Sequence, residues 1–336
     1  MNIRILLLIF LSISIFSCTT ENQKRKTDVD KLNLNGKVRS YQEIIYRTSN
    51  YRIDSLESVL KETHHGDFLS FNDSGNIIEQ RSFKKGGEPY GKWISIYDKN
   101  EYEIEKIEIK YPKYTLKRWV NKYDKSGNEI ESLIYDHKDS LLSHTKSIFN
   151  DLNKETELIV LQNKKSKNQL IKVNYQYDNN GNKIKTTRFY EDKSKTEWFT
   201  EYDSLGNDIE WRVYDRQGKL ERKDIYQYDI NNNIIEEKMF NADNKLDSRG
   251  ISKYNNQGNE IEYFEYFNDS TFKKEISIYD NSNDRIKISY YNTKGVLTEE
   301  WTSEFKYDDY DNLIQEKNWK DGKLAEIRNY SIDYWQ

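Results

Sequence analysis

An aromatic residue followed by Asp or Asn returns along this chain at Phe71, Tyr97, Tyr123, Phe149, Tyr177, Tyr202, Tyr228, Tyr254, Tyr279 and Tyr307, at intervals of 25 to 28 residues. A period of that size marks a repeat architecture, in which each unit is one supersecondary element that cannot bury its apolar face alone. The unit reads approximately YDxxGNxIExxxYDxxGKLxxxxxxxYD. A weaker anchor stands twelve residues after most main ones, at Phe83, Tyr135, Phe189, Tyr214, Phe240, Tyr266, Tyr291 and Trp319.

The turn chemistry says what the unit is. Four residues past the main anchors stand Gly75, Gly127, Gly181, Gly206 and Gly258, and the other copies carry Glu101, Asn153, Asn232, Asn283 and Asp311. Gly, Asn and Asp tolerate positive φ. Asp or Asn three residues earlier suits the first position of a type I turn. Together they specify a type I turn closed by a left-handed residue, a common hairpin connection. Glu101 breaks the rule and points to a differently built turn. Between turns the chain alternates with period two: Ile209, Trp211 and Val213 share one face, opposite Glu210, Arg212 and Tyr214. The helical spacing of i, i+3, i+4 is missing.

These signals predict an all-β fold, a repetitive antiparallel β-hairpin meander of ten units of near 26 residues. Two strands per unit give about twenty strands, each paired with its sequence neighbours. The expected overall form is an open curved sheet or partial shell. "LNLNGKVRSYQEIIYR" and "ESVLKETHHGDFLSFN" read as a degenerate first hairpin that caps the array. Composition agrees with a thin core. Apolar residues are 35% and mean hydropathy is −1.02, values that alone would suggest disorder. The 27 Tyr, 13 Phe and 7 Trp argue for a folded chain whose aromatics are buried with their polar ends wet. Only Pro89 and Pro112 interrupt strand pairing.

The N-terminus carries Arg4 and an apolar run from Ile5 to Phe16, too short to span a bilayer. Residues 1–17 read as a signal peptide. Ile15-Phe16-Ser17-Cys18 resembles a bacterial lipobox, which implies cleavage before Cys18 and a lipid on its thiol. The alternative is an ordinary signal peptide followed by a chance cysteine. Residues 18–31 read as the lipidated Cys and a flexible tether, and 32–336 as a single repetitive β domain. Cys18 is the sole cysteine, so disulfides play no part. Without residues 1–17 the chain has 52 basic and 57 acidic residues, a balance that does not favour nucleic acid.

The YDxxGN and YDxxGKL elements resemble the Rhs/YD-repeat family, whose β-hairpin repeats coil into shells in secreted toxins and adhesion proteins. The resemblance runs from Phe71 to about Leu324. Asn follows the Gly where that family favours Arg, the period is longer, and ten repeats with no toxin core imply a partial shell. Together with the lipobox, the pattern resembles YD-repeat lipoproteins of the Bacteroidetes type. That resemblance implies an envelope lipoprotein at the outer membrane, with no chemistry to transfer.

Site chemistry is sparse. His64 and His65 point to opposite faces on a strand, and His137 and His144 stand alone. Asp203, Asp208 and Glu210 lack the spacing of a complete calcium loop, and turn formation explains them. Glu236-Glu237 and Glu299-Glu300 read as a solvated face rather than a glycosidase pair. The expectation is no catalytic residue, no metal, no cofactor, lipidation at Cys18, and an unassigned ligand site. Three functions stay open: a binding or adhesion module presenting aromatics to a glycan or envelope protein, a scaffold associated with a toxin or secretion system, and a glycan-acting enzyme.

Overall fold

In the computed structural model, residues 25–47, 66–84, 86–111, 115–163, 168–267 and 271–336 are described. They hold one short helix, α1 (Asp28–Lys31), and twenty-two strands. The first eleven are β1 (Val38–Arg47), β2 (Gly66–Phe71), β3 (Ile77–Phe83), β4 (Pro89–Tyr97), β5 (Glu103–Lys110), β6 (Thr115–Tyr123), β7 (Glu129–Asp136), β8 (Leu141–Phe149), β9 (Glu155–Asn163), β10 (Asn168–Tyr177) and β11 (Lys183–Phe189). The rest are β12 (Lys195–Tyr202), β13 (Asp208–Tyr214), β14 (Leu220–Tyr228), β15 (Ile234–Phe240), β16 (Leu246–Tyr254), β17 (Glu260–Phe267), β18 (Thr271–Tyr279), β19 (Arg285–Tyr291), β20 (Leu297–Tyr307), β21 (Leu313–Lys320) and β22 (Lys323–Tyr334). Each pairs antiparallel with its sequence neighbours, as the hairpin repeat requires.

The turns are built as their residues dictate. In the turn after Tyr202, Asp203 N–H donates to Asn207 O (2.9 Å) and Gly206 N–H to Asp203 O (3.2 Å). Asp203 Oδ1 accepts the N–H groups of Leu205 and Asn207, each at 2.9 Å, and Oδ2 accepts Asn207 Nδ2 at 3.0 Å. One carboxylate thus satisfies the donors that the reversal leaves unpaired. The turn at Glu101 is not built differently. Its φ is +63°, and Asp98 N–H reaches Tyr102 O at 2.9 Å in the same pattern. A neighbour compensates the strain: Glu101 accepts from Asn72, Ser74 and Asn76 on the preceding turn, at 3.1, 3.0 and 2.7 Å. Asn153, Asn232 and Asn283 use the same device. Each accepts a rung from the turn before it, from Asn128 (3.1 Å), Asn207 (3.0 Å) and Asn259 (3.0 Å).

Two glycines of the same turn type should respond differently to substitution. Gly206 has φ +87° and open space around a Cβ, with Asn182 Oδ1 nearest at 3.9 Å. Gly206→Val should therefore cost only the backbone strain, about 1–2 kcal/mol. At Gly127 a Cβ would sit 2.2 Å from the Tyr102 hydroxyl, whose ring stacks on Tyr123 at 4.8 Å. Gly127→Val should lower the melting temperature clearly more than Gly206→Val. Equal melting shifts would contradict this account.

The main anchors end the even-numbered strands and lean back across the wall. Tyr97, Tyr123, Tyr177, Tyr202, Tyr228, Tyr254 and Tyr279 each donate their hydroxyl to a backbone carbonyl, of Ile77, Glu103, Glu155, Lys183, Asp208, Ile234 and Glu260, at 2.7 to 3.1 Å. The acceptor opens the strand immediately before the one that the tyrosine ends. Seven residues after an anchor the sequence has Ile in nine of ten copies, Thr156 being the exception. Alternation and register put this residue on the anchors' own face, as Thr200 opposite Trp211 shows for Tyr202 and Ile209. The repeat thus encodes a band of alternating aromatic rings and isoleucines beside one rim.

The sheet is closed, which overturns the expected open curved sheet or partial shell. β1 pairs with β2 and also, from Val38 opposite Tyr334 to Arg47 opposite Glu326, with β22. The result is a twenty-two-stranded antiparallel barrel. The degenerate N-terminal hairpin is not a cap, because β1 is the strand that closes the ring; the segment from Glu57 to His65 lies outside the described residues. An open sheet would leave two rows of unpaired backbone groups, and closure removes both edges. At this strand number the wall is roughly 40 Å across. Side chains cannot fill such a ring, hence the scarcity of fully buried residues.

Both clusters of buried apolar side chains among the described residues lie at this seam. Val29, Val38, Leu69 and Phe71 form one, Tyr46 and Ile327 the other. The stretch expected as a tether through Lys31 is packed from Arg25 onward. Val29 N–H donates to Gly75 O (3.0 Å), and Asp28 accepts Ile77 N–H (2.9 Å). Beyond α1, Asn312 clamps Asn35 from both sides, accepting its N–H at 2.7 Å and donating to its carbonyl at 2.9 Å. Residues 25–37 therefore strap the rim across the junction of β1 and β22.

Candidate binding wall and rim

Register assigns every strand residue to one of two faces. Trp93, Trp119, Trp198, Trp211 and Trp301 all fall on the anchors' face, opposite or beside Glu108, Lys106, Val213, Thr200 and Ile288. Ser95, Thr196, Thr200 and Ser303 share that face. All five tryptophans are half-buried. Carboxylates are set among the rings. Asp224 is 3% exposed and takes Arg222 Nε at 2.8 Å. Burial pushes the carboxyls of Glu43, Asp67 and Glu275 on this face above the ordinary range.

The other face is ionic. Glu131 accepts Lys122 Nζ at 2.5 Å and His144 Nε2 at 2.7 Å. Glu197 lies between Lys185 (2.8 Å) and Lys195 (2.9 Å), and Glu236 between Lys238 (2.7 Å) and Arg249 (2.5 Å). Glu262 bonds both Lys253 and Lys274. The lysine and histidine hydrogen bonds hold the carboxyls of Glu131, Glu197 and Glu262 below the usual glutamate range. A strand-built membrane span needs an outward apolar band about 25 Å tall. Both faces here carry charges in mid-wall, so neither supplies that band. No helix among the described residues is long and apolar enough to cross a membrane.

Cys18, His64 and His65 lie outside the described residues. His137 sits in an exposed turn, and His144 belongs to the ionic face. Asp203 holds its own turn, Asp208 accepts the Tyr228 hydroxyl at 2.8 Å, and Glu210 pairs with Arg212 at 3.0 Å. Glu236 and Glu237 point to opposite faces. So do Glu299, bonded to Lys320 at 2.6 Å, and Glu300, bonded to Lys287 at 2.7 Å. The structure brings neither pair together. No group of three or more His, Cys, Asp or Glu side chains among the described residues is arranged to hold a metal ion. Sequence reasoning missed the rung between turns and the strap. The first was legible as Asn five residues past the anchors; the second left no local signal.

The rim that carries the main-anchor turns is acidic. Asp opens seven of its ten turns, and Lys99, Lys125 and Lys154 are the only cations within them. Between the adjacent turns at Asp203 and Asp229 lies an open groove of about 530 Å³, lined by Leu205, Ile209, Tyr226, Tyr228, Ile230 and Ile235 among others.

No family model matches the chain. No curated protein matches it. Among solved structures, 78% of the chain aligns with TcdB2-TccC3 lacking its hypervariable C-terminal region, at 9% identity and a TM-score of 0.32; this spans only 18% of that chain. A porin-like protein from Bacteroides uniformis aligns over 89% of this chain and 98% of its own, at 10% identity and a TM-score of 0.28. Another from Bacteroides vulgatus aligns over 89% and 98%, at 11% identity and a TM-score of 0.23. Scores this low carry no argument about function, and the barrel rests on its own strand pairing.

Proposed function

We propose that the chain is an exported, lipid-anchored envelope protein of YD-repeat type, whose barrel wall is a non-enzymatic binding surface for glycan. The observation behind this reading is the make-up of the anchors' face, where five tryptophans stand among Ser, Thr, Tyr and ion-paired carboxylates such as Asp224 and Glu299. Aromatic faces pack against the C–H faces of sugar rings, and neighbouring hydroxyls and carboxylates bond sugar hydroxyls. The non-enzymatic part is supported by the two adjacent carboxylate pairs, Glu236-Glu237 and Glu299-Glu300, each being split between opposite faces of the wall.

Two experiments test it. In a bacterial host, the intact protein should fractionate with membranes, and Cys18→Ser should release it to the soluble fraction. Unchanged fractionation would remove the lipid anchor. For the wall, Trp198→Ser combined with Trp211→Ser should weaken retention on envelope polysaccharide by about tenfold or more, with the circular dichroism spectrum of the barrel kept. Unchanged retention would remove glycan as the ligand, and specific recovery of an envelope protein would favour the scaffold instead.

A further inference from the structure

We infer that the acidic rim is the membrane-facing end of the barrel, with Leu152, Leu205 and Ile230 dipping into the headgroup layer of a zwitterionic bilayer. This rests on the lipid-anchor reading above and adds an orientation and a lipid preference to it.

The first support is where the chain enters the fold. Arg25 Nη1 donates to Glu101 O at 2.7 Å, and its guanidinium lies 5.2 Å from the centre of the Tyr102 ring. Both partners belong to the turn between β4 and β5, on the acidic rim. Cys18 precedes Arg25 by seven residues. Fully extended, that length reaches about 25 Å. The strands separating the two rims rise about 3.3 Å per residue, so a strand of eight or nine residues is about as long as the whole tether. A lipid on Cys18 therefore holds the acidic rim at the bilayer. The opposite rim could face it only with the tether stretched taut along the wall.

The second support is independent of the tether. Leu152 and Leu205 occupy the third position of their five-residue turns and Ile230 the second, and they are 75%, 72% and 95% exposed. Apolar side chains at the tips of polar turns are what a surface entering the interfacial layer presents. Leu205 and Ile230 line the open groove already described. They stand on the turns after β12 and β14, roughly across the ring from the tether's attachment. Lipid and apolar tips thus hold the rim at two sides, with the barrel axis along the bilayer normal.

Charge selects the lipid. With Asp opening seven of ten turns and three lysines among them, an anionic surface would repel this rim. A zwitterionic one would not.

The test uses the full lipidated chain, whose single native cysteine carries the lipid. Leu205→Cys, Ile230→Cys and, on the opposite rim, Val296→Cys would each be labelled with an environment-sensitive maleimide dye. The labelled proteins are then placed in phosphatidylcholine vesicles containing a lipid-linked quencher. The expected result is a blue shift and quenching at 205 and 230, neither at 296, and a decline of both as phosphatidylglycerol replaces phosphatidylcholine. Vesicle-bound protein whose labels at 205 and 230 behave like that at 296 would overturn the orientation and leave the anchor standing. Labelling of Cys18 itself in the unsubstituted protein, without flotation on vesicles, would overturn the anchor and the orientation with it. Protection of 205 and 230 by a co-purifying protein in the absence of vesicles would overturn the lipid contact.

Discussion

Phe71→Ala is expected to lower the free energy of unfolding by about 3–5 kcal/mol, the range for a fully buried aromatic. The same change at Phe149 should cost clearly less. Both are main anchors in equivalent repeat positions, so local sequence does not separate them. Phe71 is 1% exposed because the strap covers it: Val29 packs on it, with Val38 and Leu69 alongside. Phe149 is half-buried in the wall. Truncating Phe71 leaves a cavity where β1, β2 and the strap meet. A wall with a weakened seam exposes the long β1 and β22 edges to other molecules, so the variant should also associate. Denaturant titration of both variants, with size-exclusion chromatography, decides the matter. Equal losses would mean that the seam contributes nothing special.

Raising pH should unfold the barrel across a window that opens near the ordinary tyrosine pKa of about 10. Burial, reinforced by neighbouring carboxylates, pushes Tyr123 up to about 12. Burial together with the bond to Asp308 pushes Tyr334 up to about 12. Burial raises Tyr97, Tyr177, Tyr202, Tyr228 and Tyr254 as well. The physical reason is common to them: burial disfavours the charged phenolate, so each ring keeps its proton in the folded state. A folded value above the unfolded one means that the native state binds more protons. The stabilisation is therefore complete below pH about 10 and is lost as pH rises toward about 12. After allowance for solvent at half-exposed rings, each anchor contributes about 1 kcal/mol or less. Because the anchors recur around the ring, their losses add. Tyrosinate absorbance and circular dichroism, followed together, should show the anchors ionising only as the sheet melts. Smooth ionisation of nearly all tyrosines with the sheet intact would refute the stabilising role of the buried anchor tyrosines.

What the sequence determined by itself is everything that acts within one hairpin. Asp203, Gly206 and Asn207 meet over five residues, so turn type and left-handed position are legible without a partner. Alternation of Ile209, Trp211 and Val213 gives the strand and its two faces, and the near-constant spacing gives the meander. Tertiary structure alone decided the rest. Glu101 sits in a left-handed turn because Asn72, Ser74 and Asn76 of the previous turn reach its carboxylate. Gly127 is required by the Tyr102 hydroxyl, whereas Gly206 meets open space. Above all, pairing Val38 with Tyr334 joins residues from opposite ends of the domain. Whether a meander closes depends on twist and stagger accumulated over all its strands. No short window of sequence holds that sum, and the apolar side chains that secure the junction are drawn from β1, β2, β22 and a strap that carries no repeat.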